Sequence, residues 1–299
     1  MVRPSWIAVD WGTTHLRAWA MGPDGPLDAR ASDKGMATLC GDGFEAALLE
    51  LVEDWLHGPT PVLACGMVGA RQGWVEAAYQ EVPCSPMSQT TRAPARDPRL
   101  AVFVTAGVKQ NSPADVMRGE ETQIAGLVAD QPKLTGVVCL PGTHSKWVQM
   151  EDGEIFHFAT FMTGELFSLL ATGSVLRHGV ADAGHASEDF LEAVETALST
   201  PERVASKLFG LRAEGLLKGL DPVAARSRLS GLLIGLELAG AKPYWLGQDI
   251  TLVGDGELTE LYSAALGQMG LVPRKVSAET AVLSGLTVAN RALFEQASP

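Results

Sequence analysis

The sequence predicts an α/β fold of two similar halves, each a run of three short hairpin-linked strands followed by alternating helices and strands. Apolar strings separated by tight Gly- and Pro-containing turns occur at 5–30 and again at 136–161. A stretch of helical period and further buried strands follow each triplet. The first turn of each triplet also carries a Gly-Thr pair, in "DWGTTHLRAW" (10–19) and "PGTHSKW" (141–147). This is an internal duplication of about 130 residues, expressed in the order of elements more than in residue identity.

In the first half, strands are expected at 5–10, about 15–21 and about 26–30, the second turn being "GPDGP". Phe44, Ala47, Leu48, Leu51, Val52, Trp55 and Leu56 recur on one face of a helix. "PVLACG" (61–66) and "LAVFVTAG" (100–107) are short buried strands, and the polar, Pro-rich stretch 80–99 between them is a surface excursion. In the second half, "GVVCLPG" (136–142), "SKWVQM" (145–150) and "EIFHFATF" (154–161) are strands. A helix at about 163–176 has Thr163 as a candidate cap. Helical segments at 187–241 include "LSGLLIGLELAG" (229–240), a buried helix whose glycines permit close packing. A strand at 249–254, a helix at about 257–268, a strand near 271–276 and a closing helix at 278–295 complete the chain.

The chain has 299 residues, enough for two domains with their own cores. A composition 46% hydrophobic and 19% charged is that of a globular protein. No apolar run approaches the roughly 18 residues of a spanning helix. "MVRPSWIAVD" leaves no room for a secretory core, so a cytoplasmic location is expected. The net charge of −12, without a basic stripe, argues against nucleic acid and anionic membranes as partners. Cys40, Cys65, Cys84 and Cys139 form no CxxC pair and read as reduced thiols, and the six histidines include no HExxH.

One Gly-Thr turn is weak evidence, since a hairpin uses glycine for positive φ. Two at matching places point to a shared ligand. Gly12, Thr13 and Thr14 in the first turn, and Gly142, Thr143, His144 and Ser145 in the second, offer backbone N–H groups and side-chain donors to a polyphosphate, each followed by a basic residue, Arg17 or Lys146. Asp10, at the end of a central strand, would face a metal ion, most naturally Mg²⁺ held partly through water. "TLVGDGELTELYSAAL" (251–266) adds a strand, the turn Gly254-Asp255-Gly256 and a helix, a candidate nucleoside pocket. No GxxxxGK[ST] occurs.

The order of these parts, closed by the small-residue helix "SAETAVLSGLTVAN" (277–290), resembles the sugar kinase/actin/heat-shock ATPase superfamily over essentially the whole chain. "VDWGTTHLRAW" (9–19), "GMVGARQGWVEAAY" (66–79), "DVMRGEETQ" (115–123), "LPGTHSKW" (140–147) and "FMTGELF" (161–167) narrow the resemblance to the 2-dehydro-3-deoxygalactonokinase family. That resemblance implies a two-lobed actin-like (ribonuclease H-like) fold of duplicated βββαβαβα units with a central interlobe cleft. It implies ATP and Mg²⁺ as cofactors, and phosphorylation of the 6-hydroxyl of 2-dehydro-3-deoxy-D-galactonate in galactonate breakdown. The lobes are expected at 1–108 and 109–277, with a C-terminal helix 278–299 joining the first. Leu140-Pro141 stand where many superfamily members have an acidic residue or a further glycine, so the second half supplies no equivalent of Asp10.

Phosphoryl transfer needs a base near the attacking oxygen. Ser112 followed by Pro113 reads as a helix start. An unbroken helix from there puts Val116, Glu120, Ile124 and Leu127 on one face, where an apolar stripe raises the pKa of Glu120 and suits it to general base catalysis. Asp115 and Arg118 fall on the opposite side. Two alternatives stay open: Gly119 interrupts this helix, and Asp115 or Glu121 merely caps the next one. Asp115 is the second candidate base, and similarity of the GEE string to the superfamily's polyphosphate phosphatases favours Glu120.

The carboxylate of a keto acid wants a guanidinium fork. Arg71, with Gln72 and Trp74 beside it, is a candidate cleft residue or else a surface arginine next to a packed tryptophan. Gly35 and Met36 are expected at the same mouth. Arg17 serves substrate or phosphate, or pairs internally. Thr163, Gly164 and Glu165 either turn donors toward the cleft or only cap a helix. His178 and His185 are loop histidines without an assigned role. The competing functions are a kinase for another sugar or sugar acid, an exopolyphosphatase-like phosphohydrolase, and a nucleotide-switched binding module. The last would need an added domain for which no segment is spare. A homodimer is neither specified nor excluded.

Overall fold

The structure is a computed structural model and describes residues 2–86 and 89–295. Residues 296–299 of the expected closing segment and 87–88 of the surface excursion lie outside the described residues. The chain opens with the expected meander, β1 (Trp6–Trp11), β2 (Leu16–Gly22) and β3 (Gly25–Ser32), paired antiparallel. α1 (Gly43–Val52) follows and buries Phe44, Ala47, Leu48 and Val52 against Ile7, Val9, Trp11 and Leu16. β4 (Thr60–Gly66) then pairs parallel with β1. After β5 (Tyr79–Glu81) and β6 (Thr90–Arg92) comes β7 (Leu100–Thr105), parallel to β4 and edged by β6.

The next segment departs from expectation. Residues 107–117 form a hairpin, β8 (Gly107–Asn111) and β9 (Ala114–Met117), which joins β5 in a small separate sheet. Ser112 and Pro113 are its turn, not a helix start, and Gln110 Nε2 donates to the Pro113 carbonyl at 2.8 Å. α2 (Glu120–Asp130) begins only after Gly119, whose φ of +111° cannot continue a helix. Val116 is therefore an exposed strand residue and shares no helix face with Glu120.

The second half repeats the meander as β10 (Gly136–Leu140), β11 (Ser145–Glu151) and β12 (Glu154–Phe161). A short α3 (Thr163–Ser168) leads to α4 (Ser187–Ser199), α5 (Val204–Lys218) and α6 (Pro222–Gly240). α6 starts on a well-formed cap, with Asp221 accepting from the Val223 and Ala224 amides at 2.9 and 3.0 Å and Pro222 in its first turn. α7 (Lys242–Trp245), β13 (Ile250–Val253), α8 (Gly256–Gln268), β14 (Arg274–Val276) and α9 (Ala278–Glu295) follow. The first sheet runs β3-β2-β1-β4-β7-β6 and the second β12-β11-β10-β13-β14. Apart from edge strand β6 the two orders are the same permutation, and β13 lies parallel to both β10 and β14 as β4 does to β1 and β7. The duplication is thus real at the level of topology.

Two compact units result: 1–135 with 150–157 and the segment from Ala278 onward, and 136–149 with 158–277. The boundary expected at 108 shifts because β8 pairs with β5 and α2 packs on α9, so 109–135 group with the first unit. In that unit α9 covers the sheet face opposite α1, burying Val282, Leu286 and Ala289 against Trp6, Trp19, Leu63 and Cys65. In the second unit α4 and α6 enclose Phe190, Val194, Ile234 and Leu238 with Trp147 and Leu252. No helix among the described residues is long and apolar enough to cross a membrane.

Both units use glycine where two helices touch. A Cβ on Gly126 of α2 would lie 2.0 Å from the Ala281 carbonyl of α9, and one on Gly231 of α6 would lie 2.3 Å from the Phe190 carbonyl of α4. Gly126→Ala should destabilise the full chain by about 1–3 kcal/mol, because backbone on a packed helix cannot yield as a flexible side chain does. Gly210→Ala, in open space on α5, should instead be neutral or stabilising. Thermal melting compares the two, and an unchanged midpoint for Gly126→Ala would contradict the packing argument.

Candidate active site

In the first unit the site is built on the turn between β1 and β2. Strand register sets Asp10 opposite Arg17, whose Nη2 donates to Asp10 Oδ2 at 2.5 Å. Burial disfavours the Arg17 charge, yet the Asp10 carboxylate outweighs it and the guanidinium pKa is raised. The same guanidinium lies 5.5 Å from the Trp19 ring centre. Arg17 is thus paired internally, one of the alternatives the sequence left open.

The turn carbonyls are roofed by the segment that leaves β3. The Met36 amide donates to Gly12 O at 3.0 Å, Ala37 to Thr13 O at 2.9 Å and Gly35 to Thr14 O at 3.2 Å. Only glycine permits that approach, since a Cβ on Gly35 would sit 2.2 Å from the Thr14 carbonyl carbon. Gly35 and Met36 therefore do meet the first hairpin, and Thr13 and Thr14 are left exposed on its outer side. A cavity of about 460 Å³ is lined there by Asp10, Gly12, Thr14, Arg17 and Ser32.

The start of α2 reaches the same strand ends. Gly66 pairs in register with Trp11, and the Cβ direction of Gly119 meets Gly66 Cα at 3.3 Å. Cys65 Sγ stands 3.8 Å from Asp10 Oδ1. Glu120 is the first residue of the helix, partly exposed, with its carboxylate accepting the Arg118 amide at 3.0 Å. The apolar stripe expected around Glu120 survives only in part: Ile124 and Leu127 share its face of α2 and are buried, but Val116 is on the hairpin, and Glu120 begins the helix partly exposed. The buried acid is its neighbour. Glu121 is fully enclosed, accepts the Gly119 amide at 2.7 Å and the Thr122 hydroxyl at 3.1 Å, and is pushed up to about 8 by burial and then by the Glu120 charge. Asp115 sits on β9 opposite Gln110 and accepts its neighbour's amide, from Val116, at 2.7 Å.

Arg71 is 81% exposed and 3.5 Å from Glu76. Gln72 is exposed beside it. Trp74 is a packing residue, its ring against Phe44 and Trp11 at 6.5 and 6.1 Å and its Nε1 on the Pro94 carbonyl at 3.0 Å. Its indole is partly buried and packs on the core of the first unit.

The second unit repeats the roofed turn. The Glu165 amide donates to Thr143 O at 3.0 Å, and a Cβ on Gly164 would lie 2.4 Å from Gly142 O. His144 Nε2 is 2.6 Å from Glu165 Oε2. Thr163 is not the helix cap. Met162 holds that position, and the Thr163 hydroxyl donates to buried Glu237. Ser145 and Lys146 also turn inward, Ser145 to Tyr262 at 2.9 Å and Lys146 to Thr160 at 2.9 Å, so the exposed part of the string is Thr143 and His144. A pocket of about 320 Å³ opens beside the turn, lined by Gly142, Thr143, Gly164, Phe167, Leu233 and Leu258. Gly254 bonds Val276 across to β14, and Gly256, at φ +73°, opens α8, whose Glu257 and Leu258 reach that pocket. His185 and Arg226 line it too and carry no local motif. Only the fold brings those loop and helix residues there.

Two outcomes are expected. Gly35→Ala and Gly164→Ala should each lower activity by about tenfold or more, and also lower the melting temperature, because each displaces backbone of a turn against which a Cβ would collide; full activity in both would contradict the roofed-turn geometry. Glu121 keeps its proton in the folded chain up to about 8 against an ordinary 4.5, so the unfolded chain gains from ionisation between those values and stability falls as pH rises through them. Glu121→Gln should flatten that decline in melting temperature between pH 5 and 8, whereas equal slopes would show that Glu121 is ionised.

The family model for 2-keto-3-deoxy-galactonokinase matches residues 10–289. A Rhizobium meliloti protein named "probable 2-dehydro-3-deoxygalactonokinase" is 42% identical over 97% of both chains, and the 2-dehydro-3-deoxygalactonokinase of Escherichia coli is 37% identical over 94% of this chain and 96% of its own. A crystal structure of a protein designated as this kinase, from Sinorhizobium meliloti, superposes with a TM-score of 0.89 at 41% identity, covering 97% of this chain and 99% of that one. The component A of (R)-2-hydroxyglutaryl-CoA dehydratase from Acidaminococcus fermentans, at 13% identity and a TM-score of 0.55 over 96% and 98% of the chains, shares the fold alone. The repeated sheet order, the roofed turns and these matches agree: the chain has the α/β fold of the actin-like ATPases and sugar kinases and belongs to the 2-keto-3-deoxy-galactonokinase family.

Proposed function

We propose that the chain is an ATP-dependent kinase that phosphorylates the 6-hydroxyl of 2-dehydro-3-deoxy-D-galactonate. The observation that carries this reading is the pair of roofed turns, in which backbone amides take the Gly12, Thr13 and Thr14 carbonyls of the first and the Thr143 carbonyl of the second while Thr13, Thr14 and Thr143 stay exposed, the second beside an apolar pocket. A nucleoside fits that pocket on Phe167, Leu233 and Leu258, with Gly142, Thr143 and His144 toward its phosphates. The sugar acid is assigned to the cavity of the first unit, where Thr14 and Ser32 offer hydroxyls and Arg17 keeps further N–H groups beyond the one given to Asp10.

Glu120 is the proposed proton acceptor. It stands beside the strand ends that carry Asp10, whereas Asp115 lies out on a separate hairpin. Among the described residues no three metal-ligating side chains cluster, so a site built wholly from protein is not present. One Asp10 oxygen accepts from Arg17 and the other stands 3.8 Å from the Cys65 thiol, which fits Mg²⁺ carried chiefly by phosphate oxygens and water. Bound there, magnesium would neutralise phosphate charge. The chain's own part is to orient both ligands and receive the proton.

Incubation with Mg-ATP and a panel of keto-deoxy sugar acids, following ADP, tests the activity. Release that requires 2-dehydro-3-deoxygalactonate is expected, and equal release without any sugar acid would favour the phosphohydrolase. Glu120→Gln should lower kcat by about a hundredfold or more while nucleotide binding survives. If Asp115→Asn does so instead, the base is misassigned.

A further inference from the structure

The second unit contains a carboxylate that the reaction does not use. Glu237, on α6, is 2% exposed in an otherwise apolar core. Its Oε1 accepts the Trp147 indole N–H at 2.7 Å. Its Oε2 accepts the Tyr262 hydroxyl at 2.6 Å and the Thr163 hydroxyl at a still shorter distance. Tyr262 in turn meets Ser145 Oγ at 2.9 Å. Since Tyr262 has one proton and gives it to Glu237, Ser145 must donate that last bond. Burial pushes the Glu237 carboxyl upward, and hydrogen bonding from Thr163, Tyr262, Trp147 and Ser145 pulls in the other direction without cancelling it.

A buried carboxylate is costly, and a core gains as much from a hydrophobic residue of similar size. What distinguishes this one is where its donors come from. Ser145 and Trp147 are on β11, directly after the 142–144 turn. Thr163 opens α3 and precedes Gly164 and Glu165, which roof that turn. Tyr262 is on α8, the helix that follows Gly254-Asp255-Gly256 and lines the pocket. One carboxylate thus ties the far side of the turn, its roof and the pocket's third wall. Glu237 itself does not line the pocket.

We infer that Glu237 is a positioning residue for nucleotide binding: it holds the 142–144 turn, the start of α3 and α8 in the one arrangement that receives the triphosphate, without touching it. The inference rests on the assignment of the nucleotide to this pocket. Its consequence is selective, because the first unit's cavity shares no residue with the cluster.

The test uses the full chain and three readouts: KM for ATP, KM for the sugar acid, and the dissociation constant for MgADP. Glu237→Gln keeps the shape but puts an N–H₂ where two hydroxyls now donate. Thr163→Val removes one donor, and Thr163→Ser restores it. We expect Glu237→Gln and Thr163→Val to raise both KM for ATP and the MgADP constant by about tenfold or more, with KM for the sugar acid within about twofold and Thr163→Ser close to the parent. Thr163 itself lines the pocket, so if Glu237→Gln fails to fold, Trp147→Phe, which removes the Oε1 donor at a residue outside the lining, decides with the same readouts. Lower melting temperature with KM for ATP unchanged, or equal rises in both KM values, would reduce Glu237 to a structural residue and overturn the inference. Ser230→Trp, which fills the pocket, separates the two levels. MgADP binding that survives this change removes the pocket assignment, and binding lost there but intact in Glu237→Gln and Thr163→Val removes only the role of Glu237.

Discussion

The site depends on backbone lying against backbone. A Gly-Thr turn can present its donors outward only if its carbonyls find partners behind it, and in each half a segment leaving the third strand supplies them. Gly35 and Gly164 occupy the point of closest approach, where any side chain would overlap the turn. The rest of each unit works to keep that segment in place. In the first, the Trp11 Nε1–H donates to the Lys34 carbonyl at 3.0 Å, fixing the approach to Gly35 from inside the sheet. In the second, the Glu237 cluster does the equivalent from beneath. The duplicated units solve one problem with different chemistry, an indole in one and a buried acid in the other.

Helix pairing shows the same economy. α2 against α9 and α4 against α6 both bring glycine to a neighbour's carbonyl, and both pairs brace the sheets on which the turns stand. The ion pair of Asp10 and Arg17 plays a different part. Being partly exposed it is worth about 1 kcal/mol or less to stability. Its effect is to orient a carboxylate at the strand end and to moderate its charge.

Much of this was legible in the residues. Alternation and Gly/Pro punctuation located both meanders, and helical period located α1 and the buried α6 with its close-packing glycines. The hairpin turns stood out because glycine and hydroxyl residues at matched positions have few other reasons to recur, and Gly35 and Met36 because they leave the third strand. The segment 107–117 was misread because Ser-Pro resembles a helix start, while the alternation in "GVKQN" is too short to outweigh it. That error put Glu120 in the middle of a helix instead of at its exposed start and hid Glu121 as the enclosed acid. The sequence left open whether Arg71 enters a cleft or lies on the surface next to a packed tryptophan, and the packing of Trp74 on Phe44 with an exposed Arg71 matches the second alternative. His185, Arg226 and Glu237 come from loops and helices far apart in the chain, so no local pattern could have marked them.

The placement of α9 has a consequence for biosynthesis. This helix seals one face of the first sheet, yet its residues lie after every residue of the second unit. As the chain emerges from the ribosome, the amino-terminal meander must wait with Trp6, Trp19 and Leu63 uncovered until translation has passed position 289. The second unit has all its strands before then, so the part made first is the part completed last.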